Sequence, residues 1–209
     1  MSESDIAIHG SGETLMEASP YGIPSRKLAM WLFIISDSIT FGALLFGYGY
    51  LRTASSDWPT PFKFNPSIVN VLIMTFVLVT SSLTMLGAVD SAKVGDKAKT
   101  RRFLWSTILL GVIFAGLHIR EWISMIDEGV SLFQNPWGSP LFGGAFFSIT
   151  GLHLLHVISG VVAMIVISRG FSRGSLNAGH VEATGLYWHF VDLVWMFVVP
   201  LIYLLNISK

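Results

Sequence analysis

The chain has 209 residues, 52% of them hydrophobic and only 12% charged, with no formal net charge. Soluble domains carry roughly 25% charged residues, so this composition excludes an ordinary water-soluble fold. The lack of any cysteine excludes disulfides, thiolate zinc sites, iron–sulfur clusters and copper centres with Cys ligands, and no basic block is built for nucleic acid.

Residues 1–25 are polar, acidic and rich in Gly and Ser. They lack the basic start and apolar core of a cleavable signal, so a mobile tail is expected. Residues 26–209 then hold five apolar segments, at 28–51, 67–89, 103–123, 141–168 and 183–205. Each is near the ~20 residues that cross a bilayer, and the fourth is long enough to tilt or protrude. The connections carry breakers and charge: Trp58-Pro59-Thr60-Pro61, Asp90 to Arg102, Asn135 to Pro140, and Arg169 to His180. The expected fold is an all-α integral membrane bundle of five transmembrane helices. Nine of the thirteen Lys and Arg fall on one side of it, namely Arg26, Lys27, Lys93, Lys97, Lys99, Arg101, Arg102, Arg169 and Arg173. The positive-inside rule then puts the N-terminus in the cytoplasm and the C-terminus outside, in the periplasm.

Ionisable groups inside these segments are expensive and need partners. Asp37 lies ten residues past Lys27, or ~15 Å along a helix, near mid-membrane. His153 and His156 sit at similar depth in the fourth segment, and His189 and Asp192 share one face of the fifth. Arg120 and Glu121 lie near the end of the third, with His118 on the face of Glu121. These loci meet if the helices close on one another.

Each locus carries a plain reading beside a functional one. The histidines are read as hydrogen-bonding glue between helices. Neighbours at i and i+3 cannot ligate a haem from both sides, and the carboxylates are too few for a di-iron bundle site. Asp37 is either a proton-relay carboxylate or a buried, hydrogen-bonded one. Arg120 and Glu121 point in different directions, so each needs its own partner near the headgroups. Trp31, Trp58, Trp105, Trp122, Trp137 and Tyr203 are expected as membrane-edge anchors. Ala43 with Gly47, Ser159 with Ala163, Gly151, Gly160 and Gly143-Gly144-Ala145 mark close approach.

Two motifs carry a family resemblance. Gly151-Leu152-His153-Leu154-Leu155-His156-Val157 resembles the Gly-x-His-x-x-His-Val segment of subunit III of the haem–copper terminal oxidases. Trp188-His189-Phe190-Val191-Asp192-Leu193-Val194-Trp195 resembles that family's Trp-His-Phe-Val-Asp-x-x-Trp. Ile34-Ile35-Ser36-Asp37 is similar to its Ile-Ser-Glu segment with Asp for Glu, and Ile119-Arg120-Glu121-Trp122 sits where relatives carry an aromatic-flanked Glu. The likeness runs from Leu28 to Leu205, in the short bacterial form with five helices rather than seven.

The resemblance implies a non-redox accessory subunit of a proton-translocating oxidase in aerobic electron transport, foremost a cytochrome c oxidase, in a bacterial plasma membrane. Haems and copper then belong to partner subunits, with none in this chain. The main implied contact is subunit I, followed by subunit II, a small subunit IV and, in a supercomplex, another respiratory complex. Implied roles are to stabilise subunit I, hold phospholipid, guide oxygen and assist proton uptake. Loss of the first two helices removes one wall of the family's lipid cleft. No catalytic, cofactor or metal residue is assigned; Asp37, Arg120, Glu121, His153, His156, His189 and Asp192 are read as structural or lipid- and proton-related. The alternatives are subunit III of a quinol oxidase, a homologue associated with nitric oxide reductase, an independent proton carrier using Asp37, Glu121 and Asp192, or a haem anchor using His153 with a histidine such as His189.

Overall fold

Hydrocarbon offers backbone N–H and C=O groups no partner, so each apolar segment closes its own hydrogen bonds as an α-helix. The computed structural model describes residues 25–208, which form α1 (Ser25–Ala54), α2 (Val69–Lys93), α3 (Lys97–Asp127), α4 (Leu141–Arg173) and α5 (Ala178–Val198). The polar tail expected at residues 1–25 lies, but for its last residue, outside the described residues. All five helices are long and apolar enough to cross a membrane, counting their short extensions. At ~1.5 Å per residue they reach ~45 Å, more than the ~30 Å of hydrocarbon, so they tilt or stand out into the headgroups.

Local chemistry sets the ends. Asp96 caps α3 by accepting the Lys99 backbone N–H at 3.0 Å. Gly174 ends α4 in the left-handed region at φ 80°, where a side chain is disfavoured. Pro200 has no N–H to continue α5 regularly, and the chain proceeds as a π turn, Val199–Tyr203, then a 3-10 turn, Leu204–Asn206.

Lipid gives helices no hydrophobic reason to associate, so packing and interhelical hydrogen bonds hold the bundle. Helix α5 is its centre: 50% of its most apolar window is buried, against 6% for α1. It packs on α2 and α4, α3 bridges those two from the other side, and α1 leans on α5 and more lightly on α4. Two tryptophans clip α5 to α2, Trp188 Nε1 donating to Ser81 Oγ at 2.9 Å and Trp195 Nε1 to Thr75 Oγ1 at 3.0 Å. Trp188 fits between α3 and α4 because Gly111 and Gly160 leave room. A Cβ there would come within 2.8 and 2.9 Å of its ring. Gly151 likewise admits Trp122. Gly143 lies against the Ser131 carbonyl, so the small residues opening α4 receive the preceding loop. Ala43 and Gly47 make no such close contact within the chain: they line an apolar groove between α1 and α4, and a Cβ on Gly47 would meet nothing within 4 Å.

The end of the bundle that holds the C-terminus is closed by aromatics. Trp58 packs edge-on to Tyr48 and Phe142 at 5.4 and 5.8 Å, and Tyr203 lies 4.8 Å from Phe62. Phe62 N–H donates to the Asn206 carbonyl at 3.3 Å and Ser208 N–H to the Phe62 carbonyl at 2.9 Å. Tyr203 is completely buried, its ring set among Phe62, Phe146 and Trp195. Tyr203 is an interior residue, not a membrane-edge anchor, and half-buried Trp58 and Trp122 also join internal packing. Trp31, Trp105 and Trp137 stay exposed.

Candidate functional site

The ionisable residues of the spans fall into four separate groups rather than one. The first joins α1 to α4. His156 Nε2 meets Asp37 Oδ2 at 2.6 Å, and His156 Nδ1 meets the Leu152 carbonyl at 2.7 Å. A carbonyl only accepts, so Nδ1 carries hydrogen and the remaining proton lies between Nε2 and the carboxyl. The pair is therefore neutral as a whole, whether written as imidazolium–carboxylate or imidazole–carboxylic acid. Phe41 packs edge-on to this imidazole at 5.3 Å and Tyr187 stacks on it at 6.3 Å. The Tyr187 hydroxyl donates to the His156 carbonyl at 3.0 Å, with Ser159 Oγ 2.6 Å away.

His153, one turn earlier on α4 and on the adjoining sector, points into the core. It is fully buried, stacks on Trp195 at 5.2 Å and lies 6.4 Å from the equally buried ring of His118. Neither ring has a hydrogen-bond partner among the described residues. An imidazolium there would lack a counter-charge, so both stand as neutral imidazoles. Trp195 touches both rings, at 5.2 and 5.4 Å, and so does Phe114, at 5.8 and 5.7 Å. That packing leaves no slot for a macrocycle, and the imidazole facing His153 is His118 rather than His189.

Glu121, at the C-terminal end of α3, is buried and accepts a hydrogen bond from Asn70 Nδ2 at 2.8 Å. Its neighbour Arg120 is exposed. The fourth group lies on the seam between α2 and α5, where His189 Nδ1 and Ser82 Oγ are 2.9 Å apart and half-buried Asp192 is one turn away. At the other end of the bundle, Lys27 pairs with Glu182 at 2.8 Å and ties the start of α1 to α5.

Asn70, Ser82 and Tyr187 are partners that sequence reasoning missed. The available signal was polar residues recurring at helical spacing within α2, Thr75 with Ser82 seven apart and Ser81 with Thr84 three apart. Among the described residues no group of three or more His, Cys, Asp or Glu is placed to hold a metal ion. What the arrangement does chemically is hold one shared proton between Asp37 and His156 and fasten helices pairwise.

Comparison with known proteins places this bundle. A family model described as cytochrome c oxidase subunit III matches residues 20–207, which take in all five helices. The chain is 31% identical over 187 residues to cytochrome c oxidase subunit 3 of Alkalihalophilus pseudofirmus, covering 88% of each. It is also 31% identical over 206 residues to quinol oxidase subunit 3 of Bacillus spizizenii, covering 97% of this chain and 98% of that one. A third relative, the haem–copper oxidase subunit I+III of Aeropyrum pernix, is 30% identical over 200 residues, which are 90% of this chain and 24% of that longer polypeptide. A match that spans every helix of this five-helix bundle assigns the chain to the cytochrome c oxidase subunit III family of multi-pass membrane proteins.

Proposed function

We propose that this chain is the accessory subunit III of a respiratory haem–copper oxidase in a bacterial plasma membrane, stabilising the electron-carrying subunit I while moving no electrons itself. The observation that carries this reading is the family match over residues 20–207. Its principal partner is subunit I, with subunit II beside it. The Aeropyrum relative, named as subunit I and III together, supports that pairing. Cytochrome c is the proposed electron donor of the complex, with quinol as the second reading because relatives of both kinds match at 31%.

The distribution of Lys and Arg supports an N-terminus in the cytoplasm and a C-terminus outside. The groove between α1 and α4, about 570 Å³ in volume and lined by Ala43, Leu44, Gly47, Leu141 and Ala145, suits a phospholipid acyl chain. Asp37 and His156 hold its two walls together, which supports a structural role for that pair.

Affinity purification of the chain in mild detergent tests the reading. A much larger haem-containing subunit is expected to come with it, and oxidase lacking this chain is expected to start at a normal rate but lose activity faster over many turnovers. Isolation as a solitary monomer in gentle detergent counts against the assignment.

A further inference from the structure

His189 and Asp192 stand 11 and 14 residues into α5, ~16–21 Å along a helix and hence within the hydrocarbon. Both are only half-buried. The His189 imidazole uses Nδ1 on Ser82 Oγ, which leaves Nε2 for a group outside the chain. At comparable depth the outward faces of α3 and α4 are mainly aliphatic, and exposed Ser159 spends its hydroxyl on the His156 carbonyl. Helix α3 presents Leu109, Val112 and Ile113, and α4 presents Leu155, Val162 and Val166, all exposed. Acyl chains suit those faces and offer nothing to an imidazole. An unsatisfied polar group in hydrocarbon costs several kcal/mol, so the α2–α5 seam is the face that lipid serves worst.

The same face has room for a protein. Beside the seam, α1 and α5 enclose a groove of about 210 Å³ lined by Ser38, Gly42, Leu45, Leu193 and Phe197. A Cβ on Gly42 would meet nothing within 4 Å, so no packing within this chain requires glycine there. Helix α1 is the most loosely held of the five, with 6% of its apolar window buried. A second helix laid along α5 would cover both the polar seam and the inner side of α1.

Resting on the function proposed above, we infer that the α1–α5–α2 face is the surface that meets the large haem-bearing subunit. There it receives a transmembrane helix carrying a hydrogen-bonding side chain opposite His189, while the α3 and α4 faces meet lipid. The occupant is a polar-bearing protein helix because the seam offers it an imidazole edge at mid-membrane, the Nε2 side of His189.

The test uses the intact complex with benzoylphenylalanine, a photo-crosslinking residue, at Leu193 or at Ile113, which are 55% and 42% exposed and so both reachable. Co-purification of the haem-bearing subunit with the unmodified chain is scored first, and its absence sinks the functional reading itself. Where that subunit co-purifies, crosslinking to it from Leu193 and only to lipid from Ile113 bears out the assigned face. Crosslinking from Ile113 but not Leu193 overturns it, as does a Leu193 adduct to lipid alone or to a second copy of this chain. His189→Leu is expected to lower the co-purified fraction severalfold while Ile113→Leu leaves it unchanged; equal recovery of the two variants also overturns the assignment.

Discussion

Replacing Asp37 discriminates between a charge requirement and a hydrogen-bond requirement at the α1–α4 contact. His156 Nδ1 is committed as a donor to Leu152, so a neutral ring presents a bare Nε2 toward residue 37, 2.6 Å from the carboxyl oxygen. An asparagine amide donates to that nitrogen without any charge, whereas leucine leaves it facing hydrocarbon. Polar contacts between transmembrane helices measure about 0.6 kcal/mol on average and up to about 1.7. Stranding a buried partner costs about 1–3 kcal/mol. With the His156 and Asp37 side chains 15% and 19% exposed, Asp37→Leu falls at about 1–2 kcal/mol, a factor of about 5–30 in the folding equilibrium. Asp37→Asn is expected to lose less than half of that. Because so little of α1 is buried, this contact is a large share of what fixes the helix.

The assay is unfolding of the purified chain in bicelles, followed by steric trapping, for wild type, Asp37→Leu, Asp37→Asn, His156→Phe and the double Asp37→Leu/His156→Phe. Phenylalanine keeps the ring packing against Phe41 and Tyr187. If the two groups serve each other, the double variant is no less stable than the worse single one, and the cycle gives a coupling of about 1 kcal/mol. Strict additivity, or an asparagine variant as unstable as the leucine one, refutes the reasoning.

Gly111→Ala and Gly160→Ala each push a methyl into the Trp188 ring and are expected to lose about 1–3 kcal/mol in the same assay. Gly116→Ala, where a Cβ meets nothing within 4 Å, should be neutral or gain up to about 1 kcal/mol; equal losses at all three positions would show that Trp188 packing is not the cause. Asn206→Ala removes the amide that donates to Tyr48 and the oxygen that accepts from Arg52 Nε at 3.2 Å, so a loss of about 1–2 kcal/mol is expected, and an unchanged thermal midpoint would contradict it. Asp96 accepts the Lys99 N–H, which holds its carboxyl below the ordinary 3.8. Its stabilisation is therefore complete above the unfolded value and fades as pH falls through the lower folded one. The midpoint gap between wild type and Asp96→Ala should narrow from about pH 5 to about pH 2, and a constant gap would rule the cap out as its source.

Sequence fixes how deep a residue sits in a transmembrane helix, while its rotation about the helix axis is settled by neighbours. Counting from Lys27 put Asp37 at the level of His153 and His156, yet nothing in the count distinguishes the two histidines, which lie on adjoining sectors of α4. Phe41 and Tyr187 decide it by packing on the His156 ring, and His153 turns to Trp195. Gly160 was legible as a packing glycine within a motif; Gly111 was not, although both admit the same indole. Tyr203 read as an edge anchor because its place in the sequence implies the headgroup level, and only the tertiary packing of Phe62, Phe146 and Trp195 around it makes it an interior residue. The spacing of His189 and Asp192 does place them on one face. Whether that face points inward depends on how closely α5 approaches α2, and Gly185 sets this: a Cβ there would lie 2.8 Å from Val89. The close contact carries Ser82 up to His189 and leaves the outer edge of the imidazole at the surface. A bulkier residue at 185 would move the seam apart and change which groups the bundle offers to a partner.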